Sequence, residues 1–135
     1  MRLINKIIVH CSATREGRNF TASDINRWHK ERGFAQIGYH YVVLLDGTIQ
    51  KGRPENISGA HCVNHNSRSI GICYIGGLDK QNKAKDTRTP AQKLALLYLL
   101  TELRAKYPKA TIHGHNEFAA KDCPCFNAKE EYKFI

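Results

Sequence analysis

Short β-branched runs alternate with amphipathic stretches along this chain, and the alternation predicts most of its elements. Lys6-Ile7-Ile8-Val9-His10 is an apolar run ending on a polar group, the pattern of a buried strand that delivers His10 to its end. Thr21 to Asp24 reads as a capping box opening a helix whose Ile25, Trp28 and His29 share a face, with Gly33 as its stop. Tyr39 to Leu45 and Thr48-Ile49-Gln50 flank Asp46-Gly47, which predicts a hairpin closed by a tight primed turn. Ser69 to Ile75, closed by Gly76-Gly77, is a second buried strand. Thr89-Pro90-Ala91-Gln92 supplies an N-cap, a proline at the first helical position and a box-completing glutamine. The helix it opens carries Leu94, Leu97, Leu100 and Leu103 as one apolar stripe and stops before Pro108. Ala110 to His113 forms a last short strand, and Asn127 caps a terminal helical turn. With no repeats or linkers, the expectation is one domain over residues 1–135, mixed α/β, its central mixed sheet flanked by helices.

The length of 135 residues suffices for a core without staples. Five cysteines are an odd number at low density, so most are expected to be reduced. The N-terminal run from Met1 to Lys6 is too short for a signal-peptide core, and no stretch approaches a membrane span. Synthesis in the cytoplasm, without a leader and without membrane insertion, is therefore expected. The formal charge of +9 draws in polyanions, whether nucleic acid, anionic lipid or an acidic wall polymer, without choosing among them. Lys80 to Arg88, the nearest thing to a basic cluster, lacks aromatic residues for base stacking and reads as a solvated loop. No helix-turn-helix, finger or aromatic platform is legible, so nucleic acid is not an expected partner.

Candidate chemistry lies in His10 at a strand end, His115 after the last strand and Cys123 in the loop beyond. Two imidazoles and a thiolate are the ligand types of a catalytic zinc that keeps a fourth position for water. By spacing alone the same residues also read as core or surface histidines and a small buried cysteine.

Eight segments in order carry a resemblance that covers nearly the whole chain. They are Val9 to Thr14, Gly38-Tyr39-His40-Tyr41, Asp46 to Ile49, Gly59-Ala60-His61, Asn66-Ser67, Ser69 to Ile72, Thr89 to Gln92, and Gly114-His115-Asn116-Glu117 through Lys121-Asp122-Cys123-Pro124. Together they resemble the zinc-dependent N-acetylmuramoyl-L-alanine amidases of the phage-lysozyme and peptidoglycan-recognition-protein type. The resemblance implies one zinc ion on His10, His115 and Cys123, and hydrolysis of the amide between N-acetylmuramic acid and L-alanine in peptidoglycan. It also places Tyr39 and Lys121 as catalytic groups, and His61 and Asn66 beside the muropeptide. Lys121 would stand where the oxyanion develops, and Tyr39 would orient or relay a proton. Glu117 is a rival base or a carboxylate orienting a ligand histidine. Cys125 is an alternative thiolate, whereas Cys11, Cys62 and Cys73 read as small apolar residues. His29, His40, His65 and His113 are expected to serve packing or solvent.

The expected protein is thus an endolysin-like monomer acting on cell-wall peptidoglycan after release through a holin or another export route. Two alternatives remain open. One is a non-catalytic peptidoglycan-binding module, whose usual mark is loss of the cysteine ligand that Cys123 here retains. The other is a cytoplasmic amidase recycling anhydro-muropeptides.

Overall fold

The computed structural model describes residues 2–135; Met1, part of the N-terminal run considered above, lies outside them. Five strands form one sheet in the order β4-β3-β5-β1-β7. They are β1 (Lys6–Cys11), β3 (Tyr41–Val43), β4 (Ile49–Lys51), β5 (Ser69–Tyr74) and β7 (Thr111–Gly114). β1 runs parallel to both β5 and β7, β3 is parallel to β5, and only the β3–β4 hairpin is antiparallel. A two-stranded ribbon, β2 (Thr14–Arg15) with β6 (Gly77–Leu78), extends the ends of β1 and β5. The helices are α1 (Ala22–Glu31), α2 (Pro90–Lys106) and the single turn α3 (Ala128–Glu131).

Strand alternation divides the sheet between the two long helices. Ile7, Val9 and Cys11 of β1 share a face with Ile70, Ile72 and Tyr74 of β5, and this face packs on Leu96, Leu99, Leu100 and Leu103 of α2. Ile25 and Trp28 of α1 meet Val42, Cys73 and Ile75 on the opposite face. His10 pairs in register with Cys73 and so stands on the α1 face at the carboxyl end of β1.

Both capping boxes form as expected, Thr21 with Asp24 and Thr89 with Gln92, and Pro90 opens α2. Three local expectations are corrected. The buried stripe of α2 is Gln92, Leu96, Leu99, Leu100 and Leu103, and Leu94 and Leu97 lie outside it, 70% and 47% exposed. Leucines occupy several sides of this helix, so leucine spacing alone did not identify the core side. The β3–β4 turn is also not the primed two-residue type. Only Gly47 has positive φ (+88°); the Gly47 amide donates to Leu44 O at 2.9 Å, while Leu44 N donates to Thr48 O. Asp46 Oδ1 accepts from Thr48 N at 2.9 Å, an Asx contact that suits a three-residue loop.

The third correction concerns Arg88, expected in a solvated loop. Its side chain is 1% exposed and bridges Asp86 (2.9 Å) and Glu131 (2.7 Å), with the guanidinium 3.4 Å over the Phe126 ring. These contacts tie α3 and the loop before α2 to Phe126, close behind Cys123 in the chain. Removing one partner of such a cluster strands the others. Arg88→Ala is expected to lower unfolding free energy by about 3 kcal/mol, the low end for buried pairs because both carboxylates keep some contact with water. A guanidinium titration checks this; a midpoint within error of wild type would contradict it.

Candidate functional site

The carboxyl edge of the sheet gathers the chemistry. β1 delivers His10, the short 3-10 turn after β7 carries His115, and the loop before α3 brings in Cys123. One ligand atom from each lies within 4.8 Å of the other two, the one such three-residue group among the described residues. The loop bearing Cys123 is fixed from both sides. The Cys11 amide donates to Cys123 Sγ at 3.2 Å, and the buried Tyr74 hydroxyl donates to Pro124 O at 2.7 Å. All five cysteines are free thiols. Cys125 stands apart from the group, its thiol donating to Gly77 O at 3.3 Å.

Burial, followed by the charges of His61, His115 and Lys121, pushes the pKa of His10 well below the ordinary imidazole value. His115 is lowered by burial and then by Lys121. Both rings are therefore neutral at pH 7, the form that offers a lone pair. Two neutral imidazoles and a thiol, with no carboxylate among them, fit zinc better than calcium or magnesium.

Tyr39 lies against His10, with ring centroids 5.1 Å apart. Burial first, and then the neighbouring thiols of Cys73, Cys123 and Cys11, raise its pKa well above the usual phenol value, so its hydroxyl stays protonated. Tyr39, His61, Asn66, His115 and Lys121 line one cleft of about 290 Å³, with Arg32, Phe34 and Val63. Nothing in the local pattern around these last three marked them for this place; the α1 stop and the loop before β5 put them there. Lys121 also borders a second concavity of about 550 Å³ that includes Lys85, Asn116 and Glu117.

The structure thus brings every candidate residue to one edge, but with different engagements. Asn66 Oδ1 accepts from the backbone amides of His61 (2.8 Å) and Cys62 (3.0 Å). His61 Nδ1 lies 2.8 Å from His10 Nε2. Glu117 does not orient a ligand histidine: its Oε1 meets His113 Nδ1 at 2.8 Å and its Oε2 accepts from Gly114 N. The short turn at His115 to Glu117 directs this carboxylate back along β7, and both its oxygens are engaged there.

His29 and His40 serve the frame. His40 Nδ1 accepts from Gly71 N at 3.0 Å, and His29 Nδ1 accepts from Gly38 N at 2.8 Å beside Tyr39. Burial, then Arg32 and Arg53, bring His29 down to about 4. Between its unfolded value near 6.5 and about 4, the unfolded chain binds a proton that the folded chain refuses. Stability from His29 is then complete above pH 6.5 and declines as pH falls towards 4. His29→Gln is expected to flatten the acid limb of a urea-unfolding series between pH 7 and 5. Parallel limbs for the two proteins would refute this.

Comparison with known proteins identifies the family and the fold. The N-acetylmuramoyl-L-alanine amidase family model, Amidase_2, matches residues 1–126. The endolysin of Escherichia phage T7 is 44% identical over 123 residues, covering 91% of this chain and 82% of that protein. The N-acetylmuramoyl-L-alanine amidase LysC from Clostridium intestinale URNW has a TM-score of 0.80 and 33% identity, covering 95% of this chain and 80% of its own. Bumblebee PGRP-SA has a TM-score of 0.78 at 26% identity, covering 97% and 81%. By its matched length and its fold, the chain belongs to the N-acetylmuramoyl-L-alanine amidase family and is a peptidoglycan-cleaving amidase.

Proposed function

We propose that this amidase is zinc-dependent, with His10, His115 and Cys123 holding one ion, Tyr39 and Lys121 acting on the scissile amide, and residues 1–135 forming one catalytic domain. The observation that carries the reading is the convergence of two neutral imidazoles and a thiol within 4.8 Å of one another, with His115 of that group lining the cleft that Tyr39 and Lys121 also line. Zinc bound there supplies a water whose pKa falls from 15.7 towards about 7, and it polarises the substrate carbonyl.

The protein's own groups do the rest. Water adds to the lactyl carbonyl carbon, the C–N bond breaks, one proton of the water passes to the departing L-alanine nitrogen, and the other is released as the new carboxylic acid ionises. Lys121 places its ammonium group where the carbonyl oxygen gains negative charge. Tyr39, with its hydroxyl held protonated, is a donor that orients the reacting oxygen and not a base. Lys121 stands between the two concavities, an arrangement that suits a substrate with glycan on one side of the scissile bond and peptide on the other.

We propose that it acts as a monomer, since all the residues assigned to the site belong to one chain and need none from a second copy. No helix among the described residues is long and apolar enough to cross a membrane. The name endolysin carried by the T7 relative supports intact wall as substrate, reached through a holin or another export route. Mass spectrometry of products from purified sacculi and from soluble anhydro-muropeptides tests the reading. Stem peptides with a free L-alanine amine are expected from sacculi. Faster release from the soluble fragments points to recycling. Zinc-loaded protein that binds walls and releases no amine is a binding module.

A further inference from the structure

The resemblance places His61 and Asn66 beside the substrate, and both line the cleft, but both ring nitrogens of His61 and Oδ1 of Asn66 also have partners within the protein. His61 Nδ1 lies 2.8 Å from His10 Nε2, and its Nε2 lies 3.1 Å from Oγ of the fully buried Ser69. Two glycines seat the ring. A Cβ at Gly71 would lie 2.6 Å from His61 Cγ and Cδ2, and one at Gly59 would lie 2.6 Å from Cδ2. Gly71 and His10 stand on the same face of neighbouring strands, so the bare backbone of β5 lets the imidazole lie within reach of His10. Asn66 holds the main chain at His61 through its bonds to two successive amides.

A neutral imidazole has one N–H and one bare nitrogen. The His10–His61 contact therefore has a direction. With His10 Nε2–H donating to His61 Nδ1, and His61 Nε2–H donating to Ser69 Oγ, His10 is left with Nδ1 bare. In the reverse direction, His10 Nε2 accepts and Nδ1 carries the proton, which leaves no lone pair for a ligand bond. We propose that His61 is a positioning residue that selects the His10 tautomer with Nδ1 as the ligand nitrogen, Ser69 being the outer end of the relay. The inference rests on the reading of His10 as a zinc ligand.

Zinc affinity, measured by competition with a chromophoric chelator, is the first readout, and the visible spectrum of the cobalt-substituted protein is the second. His61→Ala is expected to bind zinc about 10–100-fold more weakly, with an altered cobalt spectrum, as when the partner of a ligand histidine is lost. KM for a soluble muropeptide at saturating zinc should stay near the wild-type value. His61→Gln offers an oxygen to His10 and an N–H to Ser69, and it should recover most of the affinity. If His61→Ala fails to fold, Ser69→Ala carries the test through a several-fold loss of affinity. Wild-type affinity and spectrum in His61→Ala or in Ser69→Ala, or a raised KM as the sole change in His61→Ala, would overturn the proposal. If the wild-type protein itself takes up no zinc or cobalt, the metalloenzyme reading fails instead.

Discussion

Cys123→Ser is expected to abolish zinc retention and wall hydrolysis together, while leaving the sheet and helices in place. A serine hydroxyl stays protonated at neutral pH and is a poor replacement for a thiolate ligand. The two histidines that remain are an incomplete set. Because metal binds the folded chain and not the dispersed ligands of the unfolded one, removal also costs stability. At free zinc a thousandfold above Kd the linkage is about 4 kcal/mol, a fall in Tm of roughly 10–20 °C for a chain of this size. Chelation of the wild type should reproduce both losses, and added zinc should reverse them. Cys125→Ser provides the contrast, since its sulfur faces Gly77 O and stands outside the ligand group. Metal content by atomic absorption, calorimetric melting and amine release on sacculi check these outcomes. A Cys123→Ser protein with a full complement of zinc and wild-type turnover would remove the cysteine from the site.

The sequence shows His10 and Cys123 to different depths for physical reasons. A β-branched run ending in histidine reads directly as a buried strand that brings an imidazole to a sheet edge, and β1 does so. The capping boxes of α1 and α2 are equally local, because each needs only four consecutive residues. The metal group is not local. More than a hundred residues separate His10 from His115 and Cys123, and no pattern of spacing joins them; only the ordered motif segments linked them before the fold did. The buried ion pairs of Arg88 and the contact of Glu117 with His113, a histidine outside the ligand group, are not legible because composition does not show which carboxylate or histidine a charged group will meet. The His61–His10 contact was illegible for another reason. It depends on the absence of side chains at Gly59 and Gly71, and a glycine within a strand pattern does not say what approaches it.

Lys121→Ala should separate catalysis from metal binding. Lys121 is exposed on the cleft and belongs to no ligand set, so its loss is expected to leave zinc content and melting unchanged. If its charge meets the developing oxyanion, kcat falls about 10²–10³-fold, the usual effect of deleting one such donor. KM should change little, because the interaction strengthens only as the carbonyl becomes tetrahedral. Lys121→Arg, which keeps the charge but moves its donors, should recover part of the rate. Tyr39→Phe removes one oxygen from a group packed on His10 and is expected to lower kcat with the cobalt spectrum nearly preserved. Combining Tyr39→Phe with Lys121→Ala then tests whether the two act on the same atom. Losses that multiply assign them to separate tasks, such as the oxyanion and the attacking water. A double variant no slower than Lys121→Ala alone means that the hydroxyl works only while the ammonium group holds the carbonyl in place. Unchanged kcat in Lys121→Ala, with zinc bound, would return the lysine to the solvated surface and leave oxyanion stabilisation to the metal and Tyr39.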